Sequence, residues 1–182
     1  MTFPTTTGHR DASRRGRFSR TRFSECGRAR MGAQLRFWHV GLAVASMSRS
    51  IAFYCDGLGM QIRRRASLSP AATAVWGTDG GASGDVVFLG LDGGPEILEL
   101  IEVEGLDRVD ASSRPWDIAS AHFALETDDL GALFDRMVAA GYSARSSSPV
   151  VAASGVLAGG SAVYFVDPDG FHVEVVQRPP GV

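Results

Sequence analysis

Lysine is absent from these 182 residues, so all 18 basic side chains are arginine. That bias fits a GC-rich coding sequence and carries no chemistry of its own. Cysteine is scarce. Cys26 and Cys55 are the only two, and the first lies where no apolar periodicity exists, so a disulfide framework is excluded and both are read as free thiols in a reducing compartment. No apolar run approaches the roughly eighteen residues a membrane helix needs, and the N-terminus lacks the apolar stretch of a secretory signal. The expectation is a cytoplasmic chain that neither spans nor crosses a membrane.

Acids are nearly missing from one stretch and abundant elsewhere. Residues 1–30 hold eight arginines against Asp11 and Glu25, which leaves 10 basic and 18 acidic residues in 31–182, a net charge of −8. A body this acidic excludes a nucleic-acid-binding domain, because neutralising phosphates needs a basic face. The Arg- and Ser-rich leader fits a basic arm or a targeting peptide. With no apolar periodicity before Leu35 and Met31 just ahead of the first strand-like segment, it is read as a disordered tail or an over-called start, outside the fold. Residues 31–182 are then one domain.

What is present is alternation. In 36–44, Trp38, Val40, Leu42 and Val44 share one strand face and Phe37, His39, Gly41 and Ala43 the other. Ser46 offers a helix N-cap, and Met47, Ile51, Tyr54 and Leu58 recur at helical spacing until Gly57 and Gly59 stop the turn. Strands are expected at 60–66, 74–77, 85–91 and 96–103, the second being the weakest. The pattern then repeats. Ala121, Phe123, Leu125 and Thr127 alternate with His122, Ala124 and Glu126, and Asp128 caps a helix carrying Leu130, Leu133, Phe134, Met137 and Val138 that ends at Gly141. Strands at 161–166 and 171–177 are joined by Asp167-Pro168-Asp169-Gly170, a tight-turn sequence. Glu174 shares its face with His172 and Val176.

A strand with histidine, a helix, and strands ending in one with glutamate thus occurs twice, over about 36–103 and 120–177. The expected fold is α+β: two βαβββ modules forming a curved mixed sheet, helices on the convex face and polar side chains on the concave one. Glu99 and Glu174 stand mid-strand among Ile97, Leu98, Leu100 and Ile101 and among Val173, Val175 and Val176, where an uncompensated carboxylate is costly to bury. Together with His39 and His122 they form a two-nitrogen, two-oxygen set for one divalent ion, open to substrate, and suited to Zn, Ni, Co, Mn or Fe.

The chain resembles the vicinal oxygen chelate superfamily, which includes glyoxalase I, methylmalonyl-CoA epimerase, extradiol dioxygenases and bleomycin-resistance proteins. The likeness covers roughly 36–177. Its motifs are His39-Val40-Gly41-Leu42, Ile51-Ala52-Phe53-Tyr54 before Gly57-Leu58-Gly59, Glu99-Leu100, Ala121-His122-Phe123-Ala124-Leu125, and Tyr164 to Gly170 ahead of Glu174. The resemblance implies that His39, Glu99, His122 and Glu174 are the metal ligands. The fourth ligand points to the glyoxalase I branch, a lyase or isomerase that removes a proton beside a carbonyl and stabilises the resulting enediolate at the metal. Glu174 or Glu99 then acts as base, with Glu174 preferred. The alternatives are an Fe(II) extradiol dioxygenase, which uses three protein ligands, and a metal-free protein that sequesters a small molecule. The partners implied are a small-molecule substrate and a second copy in a homodimer, with the site formed within one chain or exchanged between two. Arg63, Arg64 and Arg65 offer guanidinium groups to a substrate anion or form a solvated edge. His172 is a neighbour of the ligands, an alternate ligand, or plain strand polarity. Trp38, Trp76, Phe88 and Trp116 are read as core or pocket wall.

Overall fold

The first strand begins one residue after His39, and its apolar stripe decides which way the sheet faces. The structure, a computed structural model, describes residues 34–78, 81–111 and 113–181. The expectations for the leader and for Cys26 lie outside them. The chain divides after Arg36, and every element below belongs to Phe37–Val182.

In the first module, β1 (Val40–Val44) leads through α1 (Met47–Ile51) and a π-helical segment (Ala52–Gly57) to β2 (Gln61–Ser67), β3 (Ser83–Gly90) and β4 (Glu96–Glu104), with sheet order β1-β4-β3-β2. In the second, β5 (His122–Glu126), α3 (Leu130–Ala139), β6 (Ser143–Ala144), β8 (Ser161–Val166) and β9 (His172–Gln177) give the order β5-β9-β8-β6, and a short β7 (Val150–Val151) also pairs with β8. Each first strand lies parallel to its module's last strand and the remaining pairs are antiparallel. The α+β class and the repeated βαβββ order stand as expected.

One apolar core serves both sheets. Leu98 and Leu100 of β4, Val87 and Leu89 of β3, Val173 and Val175 of β9 and Val163 and Phe165 of β8 join Phe53, Tyr54, Leu130, Leu133 and Met137 from the helices. Burying this alternation contributes about 1.5–3 kcal/mol for each large side chain. The modules touch helix to helix, where a Cβ on Gly57 would stand 2.8 Å from Met137 Sδ. Arg136 also donates to the Gly57 carbonyl at 3.1 Å. Tyr54 of the first module donates to Asp167 of the second at 2.9 Å, and Arg49 pairs with Asp169 at 2.9 Å. Burial pushes both the Tyr54 hydroxyl and the Asp167 carboxyl up from their ordinary ranges.

The repeat extends to the helix caps. Glu102 Oε2 accepts from Met47 N at 2.7 Å, and Gln177 Oε1 accepts from Leu130 N at 3.0 Å. Each acceptor stands three residues after a candidate ligand glutamate, so the last strand of a module both carries that glutamate and caps the helix. Ser46 holds the N-cap position but makes no side-chain cap bond. The free helical N–H is taken by Glu102, a long-range partner that local pattern reading does not see. Asp129, one residue beyond the expected Asp128, caps α3 by accepting from Ala132 N at 2.9 Å.

The strand expected at 74–77 is not formed. α2 (Pro70–Ala74) takes its place, started by Ser69, which accepts from Ala72 N at 3.1 Å, and by proline at its beginning. Gly84 of β3 has φ +150, and a Cβ there falls on the Glu102 carbonyl oxygen. Gly84→Ala is therefore expected to lower stability by about 3 kcal/mol or more, because backbone rather than a flexible side chain must yield. Urea unfolding measures this, and a midpoint shift equivalent to less than ~1 kcal/mol would refute the clash.

Candidate metal centre

The four candidate ligands sit on the sheet faces turned away from the core, in two pairs. β1 and β4 run parallel with Gly41 opposite Glu99, and His39 Nε2 lies 3.1 Å from Glu99 Oε2. A Cβ on Gly41 would come within 3.3 Å of that oxygen, so glycine leaves the carboxylate its room. In the second module His122 Nε2 lies 3.4 Å from Glu174 Oε2, with Ala124 opposite Glu174. Two ligands about 2.1 Å from one ion stand roughly 3.0–3.4 Å apart at octahedral to tetrahedral angles, so each pair has the spacing of neighbouring ligands. His39 Nδ1 is buried and has no hydrogen-bond partner among the described residues.

The pairs do not meet. Among the described residues, no three His, Cys, Asp or Glu side chains gather closely enough to hold a metal ion. Each pair is partly open to solvent, the His122 side chain being 43% exposed and His39 21%.

Aromatic and basic side chains complete each face. Across the first sheet, Gly41, Glu99, Phe88 and Arg64 are successive partners, which puts them in one row. The Arg64 guanidinium lies 3.9 Å over the Phe88 ring, whose other neighbour is the His39 ring at 5.5 Å. Phe88 is thus buried on the ligand face rather than in the common core. Arg64 is tied by two bonds of 3.0 and 2.9 Å to Glu96, and this hydrogen bonding holds the Glu96 carboxyl below its ordinary range. Of the arginine run, then, only Arg64 is shown beside the ligands. Arg63 is spent on the Leu91 carbonyl.

Across the second sheet the row reads Ala124, Glu174, Tyr164 and Arg145. Tyr164 Oη is 3.4 Å from His122 Nε2. Burial and then the Glu174 carboxylate raise the Tyr164 hydroxyl. His172 is buried, not exposed strand polarity. Its Nε2 accepts from Arg145 Nε at 2.7 Å, and burial, then the Arg145 charge, hold it below the ordinary histidine value. Sequence reading missed Tyr164 and Arg145 as site residues. The parity of 161–166 against 171–177 was the available signal for Tyr164, whereas Arg145 follows a two-residue strand with no readable alternation. Trp38, Trp76 and Trp116 are 64%, 45% and 73% exposed, so none is core. Trp38 does pack edge-on against His39, its ring centroid 4.7 Å away.

Cys55 is a free thiol, raised by burial. No helix among the described residues is long and apolar enough to cross a membrane.

Comparison with known proteins identifies the family and the fold. The sequence profile of the glyoxalase/bleomycin resistance protein/dioxygenase superfamily matches residues 36–175. A lactoylglutathione lyase of Arabidopsis thaliana is 31% identical over 147 residues, covering 80% of this chain and 45% of the plant protein. The chain therefore spans about half the length of that relative. A lactoylglutathione lyase of Haemophilus influenzae is 29% identical over 147 residues, with 79% of this chain and 93% of the relative covered. A glyoxalase family protein from Bacillus cereus superposes with a TM-score of 0.68 at 16% identity, over 81% of this chain and 96% of that one, a likeness of fold.

Proposed function

We propose, from the premise that this chain belongs to the glyoxalase/bleomycin resistance protein/dioxygenase superfamily, that it is a metal-dependent lyase of the glyoxalase I type. Its substrate on this reading is a small thiol adduct of an α-ketoaldehyde. The observation that carries the reading is the pair of His–Glu contacts, 3.1 Å in one module and 3.4 Å in the other. Two imidazole nitrogens and two carboxylate oxygens fit Zn, Ni, Co, Mn or Fe. His39, Glu99, His122 and Glu174 would hold the ion, which when bound supplies Lewis-acid stabilisation of negative charge on the substrate's adjacent oxygens.

The protein's own groups do the rest. The Glu174 carboxylate, displaced from the ligand set when the substrate is seated, takes the proton from the carbon beside the carbonyl and returns it to the neighbouring carbon, so that no net proton is consumed. Tyr164 Oη, beside the same carboxylate, orients it, and Phe88 walls the opposite pair. Glu99 beside His39 supports four protein ligands, which leaves room for the two oxygens of one substrate and none for O₂ as well. A non-redox reaction follows. Because each pair lies on an outer sheet face, we place the complete site between two copies in a homodimer, the first module of one facing the second module of the other.

Protein purified without a metal-binding tag should carry one divalent ion per chain. Under strict anaerobiosis it should exchange a substrate proton with deuterated solvent, read by NMR over α-ketoaldehyde–thiol adducts, 2-methylacyl-CoA thioesters and catechols. Catechol ring cleavage with O₂ uptake would hand the assignment to the dioxygenase reading.

A further inference from the structure

The two candidate ligand histidines are held in different ways. An imidazole that gives one ring nitrogen to an ion keeps its proton on the other, and a carboxylate, carbonyl or water ordinarily accepts that N–H and fixes the ring plane. His39 turns Nε2 toward Glu99 at 3.1 Å, but its Nδ1 is buried with no hydrogen-bond partner among the described residues. Two aromatic rings stand where such a tether would act. The Trp38 and Phe88 centroids lie 4.7 and 5.5 Å from that of His39, at interplanar angles of 61° and 71°. Both contacts are of the edge-to-face kind that aromatic pairs favour. Trp38 is expected on the face opposite His39, yet β1 begins only at Val40, and ahead of it the alternation that separates neighbouring side chains does not hold. Its indole therefore meets the ring beside it. Phe88 is backed in turn, because the Arg64 guanidinium lies 3.9 Å over its face and is itself held by two bonds to Glu96. Glu96, Arg64, Phe88, His39 and Trp38 are thus successive neighbours. His122 is set otherwise: it is the more exposed histidine, and its Nε2 meets the Tyr164 hydroxyl at 3.4 Å.

From this arrangement we infer that Trp38 and Phe88 are positioning residues for His39, fixing by ring packing the plane that a hydrogen bond to Nδ1 would otherwise fix. The first module then presents its imidazole already oriented for the ion. The inference rests on the reading of His39 as a metal ligand. Without the indole, the imidazole turns about its side-chain torsions, and an ion must order it on binding, which lowers affinity. A second aromatic ring at position 38 restores the contact, whereas a methyl group does not. Trp38 is the residue to test. Phe88 is buried and its removal disturbs the sheet, but Trp38 is largely exposed and can be cut back with the fold intact.

The test strips the full chain of metal with a chelator and titrates it with Zn²⁺ by calorimetry. Trp38→Ala should bind about 10-fold more weakly than the wild type, the lower end of what losing a hydrogen-bonded partner costs a ligand histidine. Trp38→Phe should recover most of that loss, and the metal-free variants should melt at the wild-type temperature. The His39 ring supplies the readout that a merely structural role would not move. In proton–nitrogen imidazole spectra of the metal-free chain, the His39 signals, assigned by their loss in His39→Gln, should broaden in Trp38→Ala while those of His122 stay unchanged. Affinity within about twofold of the wild type in Trp38→Ala, no recovery in Trp38→Phe, or equal broadening at both histidines would overturn the inference. A wild type that binds no Zn²⁺, but whose His39 ring loses its order in Trp38→Ala, sinks the metal reading and leaves the ring packing. Zn²⁺ binding indifferent to Trp38 does the reverse.

Discussion

Co-expressing Glu99→Ala chains with Glu174→Ala chains is expected to restore about a quarter of the wild-type ion binding that each variant alone lacks. Removing either carboxylate takes one of four ligands and exposes its histidine partner, 3.1 or 3.4 Å away, to water. Each single variant should therefore lose about 100-fold or more in metal affinity. If the site joins the first module of one copy to the second module of another, half of randomly mixed dimers contain both variants. Each of those has one intact site and one doubly damaged site, which gives the quarter. Elemental analysis of the co-expressed protein reads it directly. Mixed chains that stay empty would sink the exchanged arrangement, since a site within one chain is broken in every molecule.

Glu174→Gln is expected to slow solvent proton exchange by about 10²–10⁴-fold, the usual contribution of a positioned general base. Glutamine keeps the length and one oxygen of the side chain, so some metal is retained, but its amide cannot accept the proton. Glu99→Gln should fall less, because Glu99 stands against His39 and Phe88 in the opposite module, away from Tyr164. The measurement is deuterium incorporation by NMR, normalised to bound metal. A larger loss in Glu99→Gln than in Glu174→Gln would move the base to Glu99.

The outward placement of the candidate residues and the repeat were legible because strand side chains alternate with a period of two. Leu98 and Leu100 point into the core, so Glu99 between them cannot, and the same holds for Glu174 between Val173 and Val175. Gly57, Gly141 and the Asp167–Gly170 turn were readable for a similar reason, since glycine and proline restrict the backbone locally. Cap partners were not. Glu102 reaches Met47 and Gln177 reaches Leu130 from far along the chain, and no local pattern records such a bond.

By itself the sequence determined which residues alternate inward and outward, that the unit occurs twice, and that each copy offers one imidazole and one carboxylate on its outward side. Only the tertiary structure decided how the copies are set together. The helices of the two modules pack into one core through Gly57, Tyr54 and Met137, which turns both ligand faces outward and keeps the two pairs apart within the described chain. It also decided that Arg64 is bound to Glu96 and Arg145 to His172, and that His172 is buried. The physical reason is common to all of these. Periodicity constrains the side of a strand on which a residue lies, whereas its partner is chosen by side chains on other strands, and that choice depends on register and packing across the whole sheet.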